Sequence, residues 1–304
     1  MSAPALVGVD WGTSSFRAFL IGAGGAILDR RAGPFGILSV EPGGFPQVLR
    51  RETAAWRAER DLPVMLSGMV GSRQGWAEAA YLEAPAALSD LAGGLLPAPG
   101  GHLTFIAPGV ADMAGPLPEV MRGEEVQIAG AAARTGRADG CFVIPGTHSK
   151  WVRVEAGAIS RFATYMTGEV FAACRQHTIL GRLMAEGAED RDAFLAGVDA
   201  GARAGGPGAL LNRLFGVRTA GLFDRIPAAG LADYMSGLLI GAEIADGLAG
   251  PLAPDGPPVV IGSDGLAGRY AAALARLGRD VEKVDPDCVA AGHLAIARAA
   301  GIVG

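Results

Sequence analysis

Asp10 closes a short apolar run, and Gly12, Thr13, Ser14 and Ser15 separate it from a second run that starts at Phe16. A carboxylate followed by glycine and hydroxyl residues suits phosphate chemistry. Glycine lets the backbone come close, consecutive N–H groups form an anion-binding concavity, and Thr and Ser add donors. The carboxylate repels phosphate, but it can hold Mg²⁺ through water, and the metal then bridges to phosphate. The pattern Gly-Thr-x-Ser returns at Gly146, Thr147 and Ser149, with His148 inside it and Lys150 just after. A third turn, with Gly262, Ser263 and Gly265, follows the apolar residues Val259–Ile261 and lets a base or ribose lie close to the backbone. Taken singly, each turn also reads as ordinary punctuation: a polar hairpin capped by Asp10, or a tight strand-to-helix corner. The first two together favour function.

The elements that must hold these turns can be read around them. Residues 6–10, 16–21 and 26–31 alternate as three strands, and residues 141–165 repeat that layout, with Ala158-Ile159 matching Ala26-Ile27. The repeat predicts two related β-meander domains, each presenting a Gly-Thr turn. Residues 45–61 have helical spacing, with Phe45, Val48, Leu49 and Trp56 on one face. Residues 63–66 and 103–106 read as strands, with a Gly- and Pro-rich loop between them; the stretch 84–101 carries no assigned role. Residues 124–134 read as a helix ending before Gly136, residues 181–204 and 231–248 as the main later helices, and Asp285-Pro286 as an N-cap and first turn.

Composition excludes several classes. The 304 residues include 26 Lys and Arg against 31 Asp and Glu, a formal charge of −5, with no basic tract for nucleic acid. Three cysteines and four histidines show no paired or metal-ligand spacing, which fits a reducing cytoplasm and argues against disulfides and zinc. No leader-like segment and no membrane-length apolar run is present. "PGTHSKW" puts Ser before Lys and leads into a strand, so it is no P-loop, and there is no G-x-G-x-x-G.

The three turns in this order resemble the phosphate-1, phosphate-2 and adenosine motifs of the actin-like ATPase superfamily. More closely, "GVDWGTSSFRAFL", "GMVGSRQGW", "RGEEVQIAGA", "PGTHSKWV", "TYMTGEVFA" and "SGLLIGAEIA" together resemble the 2-dehydro-3-deoxygalactonokinase family, over about residues 7 to 300. The resemblance implies an α/β fold of two ribonuclease H-like domains around a central nucleotide cleft. It also implies ATP and Mg²⁺, and phosphorylation of 2-dehydro-3-deoxy-D-galactonate at its 6-hydroxyl in galactonate breakdown. Residues 1–120 are expected to carry the sugar and first phosphate turn and residues 121–304 the nucleotide, with the last helix free to pack back on the first domain.

On this reading Asp10 holds Mg²⁺ through water. Gly12, Thr13, Ser14, Ser15, Gly146, Thr147 and Lys150 hold phosphate, and Gly262, Ser263 and Gly265 border adenosine. Glu124 matches the position where related sugar kinases carry a catalytic Asp after a glycine; Glu125 is the competing carboxylate, and both also suit a helix N-terminus. An anionic substrate calls for Arg, and Arg73, Gln74 and Trp76 are its expected neighbours, with His148 and Glu125. Lys150 reads equally as a solvated strand residue, and Trp76 as a core anchor. Thr167 and Glu169 are further candidates, whereas His102, His177 and His293 have no supporting cluster. Competing readings are a kinase for another small sugar acid and a non-catalytic sugar or nucleotide sensor; a homodimer stays open.

Overall fold

The computed structural model describes residues 3–58, 60–203, 205 and 208–304. They form two compact units. The first takes Met1–Asp139, Val154–Arg161 and Pro286–Gly304, and the second Gly140–Arg153 and Phe162–Asp285.

In the first unit, strand Pro4–Trp11 runs antiparallel to Phe16–Gly22, which pairs in turn with Ile27–Gly33. On its other side it runs parallel to Val64–Ser67, and Thr104–Ile106 continues in parallel. Leu6, Val7, Val9 and Trp11 are fully buried, which is why the strand reads as a near-continuous apolar run rather than an alternating one. Helix Phe45–Arg57 packs Phe45 and Leu49 into this core, with Val48 and Trp56 at its margin. It ends short of the expected residue 61, and residue 59 lies outside the described residues. Helices Glu124–Thr135 and Cys288–Ala299 cross closely: a Cβ on Gly130 would lie 1.9 Å from the Cys288 carbonyl oxygen, and one on Gly292 2.0 Å from that of Val126. His293 of the second helix is buried above Gly8, and its Nε2 lies 2.9 Å from Ser67 Oγ.

The second sheet runs in the order Glu282–Val284, Val259–Ile261, Gly140–Ile144, Ser149–Glu155, Ala158–Tyr165. Each of these two larger sheets also carries a two-residue edge strand, Leu96–Pro97 in the first and Ala86–Ala87 in the second; with those left out and the rest counted in chain order, both read third, second, first, fourth, fifth, so the repeat seen in the turns is a repeat of strand order. In the second unit, helix Arg191–Ala202 lies against Leu231–Ala249 through Gly197, Gly201, Gly237 and Gly241. A Cβ on any of them would meet a backbone oxygen of the other helix at 2.0–2.4 Å. Helical glycine costs about 1 kcal/mol each, and close backbone packing offsets it.

Several expected elements differ. The stretch 84–101 is not a bare loop: it holds strand Ala86–Ala87, helix Leu88–Gly93 and strand Leu96–Pro97, each too short to leave a periodic signal. The helix expected over 181–204 begins at Arg191, because Asp190 Oδ1 accepts from Ala193 N at 2.9 Å and caps it there; residue 204 lies outside the described residues. The last helix starts at Cys288 with Asp287 as its N-cap, so Asp285 and Pro286 precede it. No helix among the described residues is long and apolar enough to cross a membrane.

Candidate active site

In the first unit, Asp10 ends the central strand, opposite Arg17 on one neighbour and beside Ser67 on the other. Arg17 Nη2 donates to Asp10 Oδ2 at 2.5 Å, and its Nη1 is 3.7 Å from Asp287, which also accepts from Arg30 Nε at 2.8 Å. The other Asp10 oxygen faces Gly68. A Cβ there would lie 3.2 Å from Asp10 Oδ1 and 2.9 Å from the Trp11 carbonyl oxygen, and Gly68 has φ +88°. Gly123, with φ +107°, comes so close that its Cβ would lie 3.0 Å from Gly68 Cα. Two strand ends and the head of helix Glu124–Thr135 therefore meet at glycines, beyond the carboxyl ends of parallel strands where α/β sheets bind ligands. Among the described residues no three His, Cys, Asp or Glu gather as a metal cage. The single Asp10 carboxylate beside closely packed glycines fits a Mg²⁺ that it would hold through water, where the metal would supply charge to neutralise phosphate.

The turn that follows is fastened from behind. Gly12 N donates to Ser15 O at 2.9 Å, Ile37 N to Gly12 O at 3.0 Å and Leu38 N to Thr13 O at 3.2 Å, while Thr13, Ser14 and Ser15 stay exposed.

The two acids after Gly123 part ways. Glu124 is half-buried, and its Oε2 accepts from Arg122 N at 3.0 Å. Glu125 is fully buried, and both its oxygens accept from Gly123 N, at 2.9 and 2.7 Å. Burial beside an apolar cavity of about 270 Å³, and then the Glu124 charge, push the Glu125 carboxyl up to about 8. Glu125 thus caps its helix and is enclosed, and Glu124 is the more open of the pair.

Arg73 lies 86% exposed on its loop, 3.4 Å from Glu78, and Gln74 is also exposed. The Trp76 ring stacks on Phe45 with centroids 6.2 Å apart, and its N–H donates to Pro99 O at 3.1 Å, so both its face and its polar edge are engaged.

In the second unit, the Gly146 turn is braced by the head of helix Thr167–His177. A Cβ on Gly168 would lie 2.4 Å from Gly146 O, and Glu169 N donates to Thr147 O at 3.0 Å. Thr147 is exposed, and the exposed His148 Nε2 sits 2.5 Å from Glu169 Oε2. Lys150 is 5% exposed, which removes the solvated-strand reading. Beneath the turn, Glu243 is 4% exposed. Its Oε1 accepts from Ser149 Oγ at 2.7 Å and Trp151 Nε1 at 2.9 Å; its Oε2 accepts from Tyr270 Oη at 2.6 Å and from Thr167 Oγ1. Burial raises the Glu243 carboxyl against the pull of these four donors.

Ser263 precedes helix Asp264–Arg276, and Ser263 and Gly265 are exposed, with open space where a Gly265 Cβ would stand. Gly262 N donates to Val284 O at 3.2 Å. A cavity of about 300 Å³ is lined by Gly146, by Thr167 and Gly168 at the head of the bracing helix, and by Leu266 and Arg269 of the helix that follows Ser263. Arg269 is held by Asp233 at 2.5 Å and Glu189 at 3.1 Å.

The profile of the family described as 2-keto-3-deoxy-galactonokinase matches residues 10–296. The chain belongs to this family. It is 43% identical over 298 residues to a Rhizobium meliloti (strain 1021) protein named as the probable 2-dehydro-3-deoxygalactonokinase DgoK1, covering 96% of each chain. It is 34% identical over 281 residues to the 2-dehydro-3-deoxygalactonokinase of Escherichia coli (strain K12), covering 92% of this chain and 93% of that one. A crystal structure from Sinorhizobium meliloti, assigned the same activity, superposes with a TM-score of 0.89 at 41% identity, covering 97% and 98% of the two chains. The activator of 2-hydroxyisocaproyl-CoA dehydratase from Clostridium difficile, solved with bound ADPNP, superposes at 0.55 with 11% identity over 98% and 96% of the chains. The family member thus has the actin-like ATPase fold.

Sequence reasoning passed over Arg17, Gly68 and Glu243. Glu243 left a readable trace, a single carboxylate in the otherwise apolar run 238–245. Arg17 and Gly68 left none, because their roles follow from strand register and backbone angle.

Proposed function

We propose that this chain transfers the γ-phosphoryl group of ATP to the 6-hydroxyl of 2-dehydro-3-deoxy-D-galactonate, in galactonate breakdown in the cytoplasm. The observation that carries the reading is the meeting of Asp10, Gly68 and Gly123–Glu124 at the strand ends in a chain of this family. Phosphoryl transfer is mainly positioning and charge stabilisation. The exposed hydroxyls of Thr13, Ser14 and Ser15, with Gly146, Thr147 and Lys150, receive the phosphates. The 300 Å³ cavity, lined by Leu266 and Arg269, takes the nucleoside, and Gly262, Ser263 and Gly265, just ahead of them in the chain, border the adenosine. Mg²⁺, held by Asp10 through water, would neutralise phosphate charge. Glu124 orients the 6-hydroxyl and takes its proton as the oxygen–phosphorus bond forms and the bond to ADP breaks. Arg73, Gln74 and His148 border the sugar acid. As a division of labour, residues 1–120 serve the sugar and first phosphate turn and most of 121–304 the nucleotide, with helices Glu124–Thr135 and Cys288–Ala299 folded into the first unit. A homodimer is compatible with this scheme.

The test is ATP consumption with Mg²⁺ on 2-dehydro-3-deoxygalactonate, its gluconate epimer and neutral sugars, beside Glu124→Gln. Turnover on the galactonate acid that falls about 10³-fold in the variant is expected. Turnover only on another acid would reassign the substrate, and ATP binding without any turnover would point to a sensor.

A further inference from the structure

Arg122 joins strand Glu119–Met121 to Gly123 and is 8% exposed. Its Nη2 donates to Ala79 O at 2.8 Å, while Nε and Nη1 are buried without any hydrogen-bond partner. Buried guanidinium donors are almost always satisfied, because desolvation without compensation is costly. A second idle group lies on the turn that Arg122 approaches: Ser72 Oγ is also buried and unpartnered. It follows Gly71, where a Cβ would stand 3.0 Å from Arg122 Nη1. The unpartnered Arg122 Nη1 thus lies against the Gly71–Ser72 turn, which leads into the Arg73 loop, and Arg122 itself stands two residues before Glu124.

We propose that Arg122, with Ser72, is the receptor for the substrate's carboxylate, an inference that rests on the kinase reading above. Arg73 is the residue that sequence favours for this task, but it is open to water and already paired with Glu78. A cation in that setting gains little from a second carboxylate, whereas a desolvated guanidinium with vacant donors gains much. Both idle Arg122 atoms are sealed, so the ligand reaches them only when a cover moves. The Tyr81 ring is that cover. It lies 4.2 Å from the guanidinium carbon, is 45% exposed, and sits on Tyr81–Glu83, the edge strand of a three-stranded sheet. An unmatched carboxylate in the substrate and unmatched donors in the protein then satisfy each other, which rejects neutral sugars.

The experiment compares the sugar acid with its carboxamide, using wild type, Arg122→Met and Ser72→Ala, with melting temperatures and the KM for ATP measured alongside. Wild type should prefer the acid by about 100-fold in kcat/KM. Arg122→Met should lose that preference by falling on the acid alone, with the KM for ATP unchanged. Ser72→Ala should lose about 5-fold on the acid alone. If Met abolishes folding, Arg122→Lys, which keeps the charge and loses the fork, carries the same comparison. An unchanged acid-to-amide ratio, or equal losses on both compounds, overturns the assignment while leaving the kinase reading intact. Wild type inactive on both overturns the two together.

Discussion

Glu243 gives the sharpest test of how the second unit holds its phosphate turn. Replacing it by Leu removes the acceptor of four donors. Ser149 and Tyr270, already 3.3 Å apart, can turn to each other. Trp151 Nε1 can only donate and loses its Glu243 acceptor, and Thr167 loses its anchor at the head of the helix that braces Gly146. Stranding the buried Trp151 donor costs about 1–3 kcal/mol, and half-buried Thr167, which water can reach from the cavity, adds less, so Glu243→Leu should lose about 1–4 kcal/mol, a large part of a typical domain's stability. Glu243→Gln is the informative partner. Its amide oxygen must keep Trp151 and Ser149, and its NH₂ then faces Tyr270 and Thr167, whose hydroxyls can rotate and accept. That exchange should cost about 1 kcal/mol. Denaturant melting, with separate KM values for ATP and the sugar acid, is the assay. Gln should fold, raise the KM for ATP by about 10-fold, the equivalent of about 1.4 kcal/mol, and leave the KM for the sugar acid alone. The reasoning fails if Leu melts like wild type, or if Gln shifts both KM values together.

Three further expectations follow from close contacts and buried charge. Gly68→Ala forces a Cβ to 2.9 Å from Trp11 O at φ +88° and should cost about 1–3 kcal/mol and at least about 10-fold in kcat, read by steady-state kinetics. Gly201→Val drives a branched side chain into Leu238 O, 2.1 Å from the Cβ position, and should lower stability by at least about 3 kcal/mol, measured by thermal melting. Glu125, with its carboxyl raised from 4.5 to about 8, holds a proton in the folded state that it gives up when unfolded, so its contribution to stability falls as pH rises through that window. His293, lowered from 6.5 to about 3, acts oppositely and only below 6.5, so a melting temperature that falls between about pH 6.5 and 8 has the buried carboxyls Glu125 and Glu243, both raised, as its sources. Glu125→Gln should flatten that slope; a slope unchanged in the variant would assign it to other groups.

The three glycine turns and the repeated meander were legible because each depends on local residue order, which is what a sequence records directly. Strand Val259–Ile261 and helix Glu124–Thr135 were read within a residue for the same reason. What stayed hidden depends on the third dimension. Charged residues default to the surface, so nothing in the string marks Arg122 as buried or separates Glu125, which turns inward, from Glu124, which stays half-open. Gly68 and Gly123 are two of many glycines until their positive φ angles and mutual approach are known. Helix Leu88–Gly93, six residues with one capping carboxylate at Asp90, is shorter than the window over which helical period can be recognised.

Helix Cys288–Ala299 completes the first unit, yet the whole second unit separates it in the chain from Gly8, Ser67 and Gly130. On the ribosome, where domains fold as they emerge, this imposes an order opposite to that of the sequence. The strands that begin the protein wait with one apolar face open, while the second unit has all its residues available before that helix is made. A nascent chain that has emerged only as far as residue 287 therefore presents every residue of the second unit but not all of the first. The unit that holds Asp10 and Glu124 is completed last, so a chain interrupted in synthesis leaves that unit without its closing helix.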